Sequence, residues 1–369
     1  MINQYLLSHK VEVTDGERIW YVAELSGFIM EVNLFSKELK CIWKIPNSRG
    51  ECSYRTLFYC DHKLYVFPHF QETMYVYDLY TADFEKIAVK KSLELMGCVK
   101  RGQFLYAFGS KSEILKYNLK DGTVAYIDVQ SELSDLENFT LYWFWTRAIV
   151  LDECICIPVS NSNIIVTLDP NDKISCMYLG DKPEKWILEN IQASNGRYHV
   201  ICCKGNRNDV GTSYIAEYDL NGRLILESSV EEKYSYQIYP FVNAVWIGDK
   251  WICLPYGRKE MILRDKEHDE ILFEIDNGME LLNNIIEGQF TCSVWVNDHT
   301  VCSINQATES LIYIDLNALA VNYTDLEANE ELQRLHLAAY RDAIKFDKII
   351  KETNQLYNLK NYIDYIGSD

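Results

Sequence analysis

The chain has 369 residues, with 36 Lys and Arg against 54 Asp and Glu, giving a formal net charge of −18. Nucleic acid and anionic lipid are disfavoured as partners, because both recruit clustered positive charge and no run of Lys or Arg occurs. No stretch approaches a membrane span in length, and Met1 to Ser8 lack the basic region and apolar core of a signal peptide.

Taken in chain order, the elements repeat. The first unit opens on the turn Asp15-Gly16, continues through Ile19-Trp20-Tyr21-Val22, and reaches Met30-Glu31-Val32-Asn33-Leu34. The second runs Asp61-His62, Leu64-Tyr65-Val66-Phe67, then Tyr75-Val76-Tyr77-Asp78-Leu79. The third has Arg101-Gly102, Phe104 to Phe108, and an anchor at Asn118. The fourth has Asp152-Glu153, Cys154 to Ile157, and Asp169. The fifth has Asn195-Gly196, Tyr198 to Cys202, and Asp219. Gly248-Asp249, Trp251 to Leu254 and Asp265 make the sixth. Asn297-Asp298, Thr300 to Ile304 and Asp315 make the seventh.

Subtracting anchor numbers gives spacings of 45, 40, 51, 50, 46 and 50. A period of roughly 40–50 residues, built from segments alternating every second residue, is the signature of a propeller array. Asp-Gly and Asn-Gly are strong hairpin signals, since a type I′ turn needs positive φ at both central positions. Each unit therefore reads strand, tight turn, strand, loop, strand, turn, strand. The expected fold is all-β: a seven-bladed β-propeller of four-stranded antiparallel blades over residues 1–325, followed by a C-terminal α-helical tail over 326–369. Blades are expected near 8–46, 51–90, 95–130, 142–180, 189–230, 239–277 and 288–325. Residues 2–7 are a candidate extra strand for closing the last unit.

Twelve Cys occur without a C-x-x-C pair, so the sequence supports neither a zinc nor a dithiol redox site. Together with the missing leader this predicts a reduced, cytoplasmic protein. After Leu326 the apolar period lengthens to about 3.6: Leu332, Leu335, His336, Ala339, Ala343, Phe346 and Ile350 share one stripe. A second short helix is predicted through Leu356, Leu359, Ile363 and Ile366. The tail is a candidate contact for a further partner. Short helical turns are predicted at 131–137, 183–188 and 279–284, each ahead of a blade's first strand.

Segments such as Met74-Tyr75-Val76-Tyr77-Asp78-Leu79 and Ile215-Ala216-Glu217-Tyr218-Asp219-Leu220 resemble the kelch-like and related bacterial β-propeller repeat proteins, over about residues 8–325. The chain lacks the paired glycines of true kelch repeats after the second strand, where it reads Leu64-Tyr65-Val66-Phe67-Pro68. It also lacks the Trp-Asp ending of the tryptophan-aspartate class. The resemblance implies architecture and carries over no functional residue.

In that architecture the connections between blades, and between second and third strands, share one face. Loops on a rigid scaffold are where binding resides. Candidate binding residues there are Tyr54 and Arg55, His69, Trp143, Trp145 and Arg147, Asn243 and Arg258. Trp143, Trp145 and Arg147 alternate on one strand face, suited to stacking a ring and clamping a carboxylate. No H-E-x-x-H, G-x-S-x-G or phosphate-cradling glycine loop occurs, so no catalytic residue, metal or cofactor is assigned. The expected role is a non-catalytic binding or scaffold module for a protein, peptide or polar small molecule. The alternative is a metal-dependent hydrolase or lyase, with carboxylates such as Glu72, Glu113, Asp209, Glu260 and Glu309 at the channel mouth.

Overall fold

The structure is a computed structural model. It describes residues 11–338, apart from 25, 49–52, 91–92, 130–146, 160–161, 183, 185, 205–211, 232–240, 256–259, 266–267, 275–292, 306–309, 329, 331, 333 and 336–337. Seven four-stranded antiparallel sheets follow one another along the chain, so the protein is a seven-bladed β-propeller. The blades run from Glu12 to Lys44, Tyr54 to Ala88, Leu95 to Asp128, Ile149 to Tyr178, Trp186 to Glu231, Phe241 to Glu274, and Val294 to Asp325.

The repeated acid or amide has a local physical cause. Each anchor sits at the end of a third strand, and its side-chain oxygen accepts backbone N–H groups of the turn that follows. Asn33 Oδ1 takes Phe35 and Ser36, both at 2.9 Å. Asp78 Oδ1 takes Tyr80 at 2.9 Å and Thr81 at 3.1 Å. Asn118, Asp169, Asp219, Asp265 and Asp315 do the same in their own blades. These are Asx turns, in which a short side chain replaces backbone partners that the turn cannot supply. The bonds from Thr81 and Tyr80 hold the Asp78 carboxyl below its ordinary range.

Tertiary packing turns the seven sheets into a closed ring. The described core divides into seven apolar clusters, and each lies between two neighbouring blades. Alternation along single strands feeds them: Trp20 and Val22 pack toward blade two, while Tyr21 and Ala23 pack toward blade seven. First strands touch the first strands of the next blade at six seams, blade seven against blade one included, which makes them the inner wall of the ring.

Closure is completed beyond the last blade. Glu327–Ala328 pairs in parallel with the outer strand of blade one, Glu38–Lys44. Leu326 and Leu332 enter the cluster between blades seven and one. Tyr313 donates to the Leu34 carbonyl across the same seam at 3.4 Å, and Lys37 lies over the Tyr313 ring. Residues 2–7 lie outside the described residues. Glu330, Leu332, Arg334, Leu335 and Ala338 are helical; the tail from 339 onward, with its expected stripe and second helix, is also outside them.

One local expectation is corrected. The helical turn expected at 183–188 does not extend over 186–188: Trp186 opens a nine-residue strand that runs to Ser194. Trp186 and Leu188 are both buried, a spacing of two that suits a pleated strand against a core. The turns expected at 131–137 and 279–284 lie outside the described residues.

Candidate binding site at the channel mouth

The two ends of the ring differ in chemistry. At one end the first and second strands join through tight turns, with left-handed residues at Asp61 and His62, Asp152 and Glu153, and Asn195 and Gly196. Among the described residues, all buried polar side chains except Glu31, His199 and Glu217 lie at or above mid-strand toward the opposite, loop-bearing end. Burying a polar group is costly unless it is hydrogen-bonded, so such an accumulation at one end calls for an account.

Among the described residues, four first strands carry a β-bulge at that end: an extra residue at Arg55, Met96, Glu189 and Val242. A bulge bends its strand and re-aims the residues beside it. The residues just after three of these bulges tie their blades to the next. Thr56 Oγ1 donates to the Leu95 carbonyl at 3.2 Å. Asn190 Nδ2 donates to the Ala244 carbonyl at 2.6 Å, and Asn243 Oδ1 accepts from Ser293 Oγ at 3.4 Å.

Blades four to seven converge on Asn243. Its Oδ1 accepts from Arg147 Nη1 at 3.0 Å and Asn190 Nδ2 at 3.2 Å, besides Ser293. Arg147 precedes blade four, so it spans blade five to reach blade six. This oxygen is buried near the loop-bearing end of the blade-six first strand. An arginine offers only donors, so the contact fixes which end of the Asn243 amide faces it. The other end, Nδ2, is fully buried and has no hydrogen-bond partner.

Blades one to three form a second cluster. Arg55, the bulge residue, pairs with Glu24 at 3.2 Å, and both side chains are largely buried. His69 is 5 % exposed. The Leu95 and Glu94 backbone beside the ring favours its charged form, while Nδ1 has no hydrogen-bond partner. Burial, followed by the nearby Arg55 charge, pushes the His69 pKa down to about 3, so the ring is neutral at pH 7. Glu94 is held in a left-handed conformation, φ 49°, and bonds Ser110 and, at 3.2 Å, Lys111. Gly109 permits this: a Cβ there would stand 1.8 Å from the Glu94 carbonyl oxygen.

Of the expected binding residues, Arg147 and Asn243 are hydrogen-bonded to each other, and Arg55 and His69 share the second cluster. Tyr54 is 2 % exposed, its hydroxyl donating to the Thr73 carbonyl at 3.1 Å, so it packs the seam between blades one and two. Trp143, Trp145 and Arg258 lie outside the described residues. Sequence reasoning did not name Asn190, Ser293, Glu24 or Glu94. Asn190 was findable: it precedes Asn243 by 53 residues, close to the repeat period, at the same position after a bulge. Among the described residues no three His, Cys, Asp or Glu side chains group as a metal site.

No protein-family model matches the chain, and no curated protein sequence matches it. Solved structures do. An inactive variant of virginiamycin B lyase from Staphylococcus aureus, crystallised with quinupristin, superposes with a TM-score of 0.60 at 11 % identity, covering 83 % of this chain and 94 % of that one. The extracellular domain of a hybrid two-component system from B. thetaiotaomicron gives 0.55 at 9 % identity, covering 87 % of this chain and 38 % of that one. Kluyveromyces lactis Hsv2 gives 0.51 at 10 % identity, over 85 % and 97 %. At these identities the likeness is one of fold.

Proposed function

We propose that the propeller is a non-catalytic binding module whose loop-bearing face takes a protein, peptide or polar small molecule at the channel mouth. The observation that carries this reading is the gathering of buried polar side chains at that end, three of which follow strand bulges and hydrogen-bond to the next blade. Preorganised donors lose little entropy on binding, which favours recognition at such a place. The cluster around Asn243 is rich in N–H donors, and Arg147 supplies its charge, which suits a ligand rich in acceptors. A fold shared with a lyase, the extracellular domain of a two-component system and Hsv2 does not choose between roles.

The test is affinity capture from the native cell extract, comparing the wild-type chain with a Trp145→Ala/Arg147→Ala double variant and with Tyr80→Ala. Tyr80 is exposed at a turn on the opposite end. Capture lost only in the double variant, with little change in melting temperature, is the expected result. Capture lost in Tyr80→Ala and retained in the double variant would move the site to the other face.

A further inference from the structure

We propose that Cys60 and Lys100 form an oxidative cross-linking site, at which hydrogen peroxide joins blade two covalently to blade three. The observation is a contact across a seam at the tight-turn end of the ring. Cys60 ends the first strand of blade two, and Lys100 lies one residue before the end of the first strand of blade three. Lys100 Nζ donates to Cys60 Sγ at 3.1 Å, and the thiol donates to Asp61 Oδ2 at 3.3 Å. Cys41 and Cys98, by contrast, give their S–H to backbone carbonyls, and Cys156 meets the Tyr198 hydroxyl. What sets Cys60 apart from these three is an amine at contact distance, and a nitrogen nucleophile traps oxidised sulfur.

Cys60 keeps 7 % of its surface exposed, beside the exposed Lys100, so the pair meets solvent. Burial pushes the Cys60 thiol up, the Lys100 hydrogen bond draws it down, and Asp61 pushes it up again. The thiolate is the form that attacks peroxide, so the first step is slow at pH 7 and quickens as pH rises. In that step the sulfur attacks one peroxide oxygen, the O–O bond breaks, and a sulfenic acid and one water form. Sulfur is oxidised by two electrons and the peroxide is reduced. Lys100 then loses a proton to solvent, its lone pair attacks the sulfenyl sulfur, and the S–O bond breaks. The departing hydroxide takes a second proton from the nitrogen and leaves as water. An S–N bond, a sulfenamide, remains. Holding Nζ against Sγ makes this step intramolecular, which favours it over a free thiol or a second peroxide.

The test treats the folded full chain with hydrogen peroxide at pH 7 and pH 9, blocks remaining thiols, digests, and maps the peptides by mass spectrometry. The expected product is one joined species carrying positions 60 and 100, lighter by two hydrogens than its reduced parts. It should form at least threefold faster at pH 9 and fall apart in dithiothreitol. Lys100→Arg keeps a cation beside the sulfur but supplies no amine, so the joined species should vanish and Cys60 should run on to sulfinic acid. Cys60→Ser serves as the second variant should Lys100→Arg fold poorly, and it should also leave position 100 unlinked. Several results would overturn the proposal: Cys60 unchanged while exposed methionines oxidise, or Cys60 carried to sulfinic acid in the wild type without a link. So would a disulfide between Cys60 and Cys98, which packs against the same apolar cluster, or a joined species that retains the peroxide oxygen. Equal yield of the link from protein unfolded in urea would overturn it too, since the fold would then contribute nothing.

Discussion

Acidifying the protein from pH 7 to pH 4 should cost it roughly 3 kcal/mol more than it costs a His69→Gln variant. The folded state holds His69 near pKa 3, against an ordinary value of 6.5. Below pH 6.5 the unfolded chain therefore binds a proton that the native imidazole refuses. Stability is fully present above about pH 6.5 and falls as pH drops toward 3. His69 is 5 % exposed, so solvent screening removes little of the effect. Carboxyls held low by backbone N–H bonds, such as Asp78 and Asp219, also lose stability in acid, but both proteins share that loss and the difference cancels it. Glutamine is of similar size and uncharged, as the neutral imidazole is, so the variant should fold at neutral pH. Urea unfolding of both proteins at pH 7, 5.5 and 4 measures the gap. Parallel pH profiles would mean that His69 is solvated.

Gly109→Ala should destabilise the propeller by about 3 kcal/mol or more, and disturb the second cluster as it does so. The added methyl would meet the Glu94 carbonyl oxygen at 1.8 Å and its carbon at 2.6 Å, both backbone atoms. Relief requires moving the start of a first strand where Glu94 also receives Ser110. Gly102→Ala is the control: it has a φ of 57°, and nothing lies within 4 Å of an added Cβ. That substitution should cost about 1 kcal/mol, the strain of a left-handed alanine. Equal losses in the two variants, measured by denaturant unfolding, would show that the close approach at Gly109 relaxes freely.

The architecture was legible because its signals are local. An Asx turn uses a side chain and the two to four residues after it, so Asp78 or Asp219 announces its own turn, and seven repeats announce the ring. Hairpins such as Asp61-His62 are equally local, their φ values of 50° and 60° being set within two residues. The segment at 183–188 misled because Pro183 and Glu184 imitate a helix start, whereas Trp186 and Leu188 are committed to a core built by other blades. Closure through Glu327–Ala328 depends on an edge supplied nearly 290 positions earlier, which no local pattern encodes. The candidate site was legible only in pieces. Arg147 and Asn243 stand out singly as mouth residues, but their contact joins positions 96 apart. The pairing of Arg55 with Glu24, and the bare nitrogen of His69, likewise arise from blades meeting at a seam.

Hydrogen exchange tests the loop-side mouth most directly, comparing the chain alone with the chain bound to the molecule it retains from the extract. Slowed exchange at 53–56, 94–96, 147–149, 190–192 and 241–244, with turns 61–62, 152–153 and 195–196 unchanged, is the result expected. Slowing centred on those turns, or on the outer strands, would contradict it.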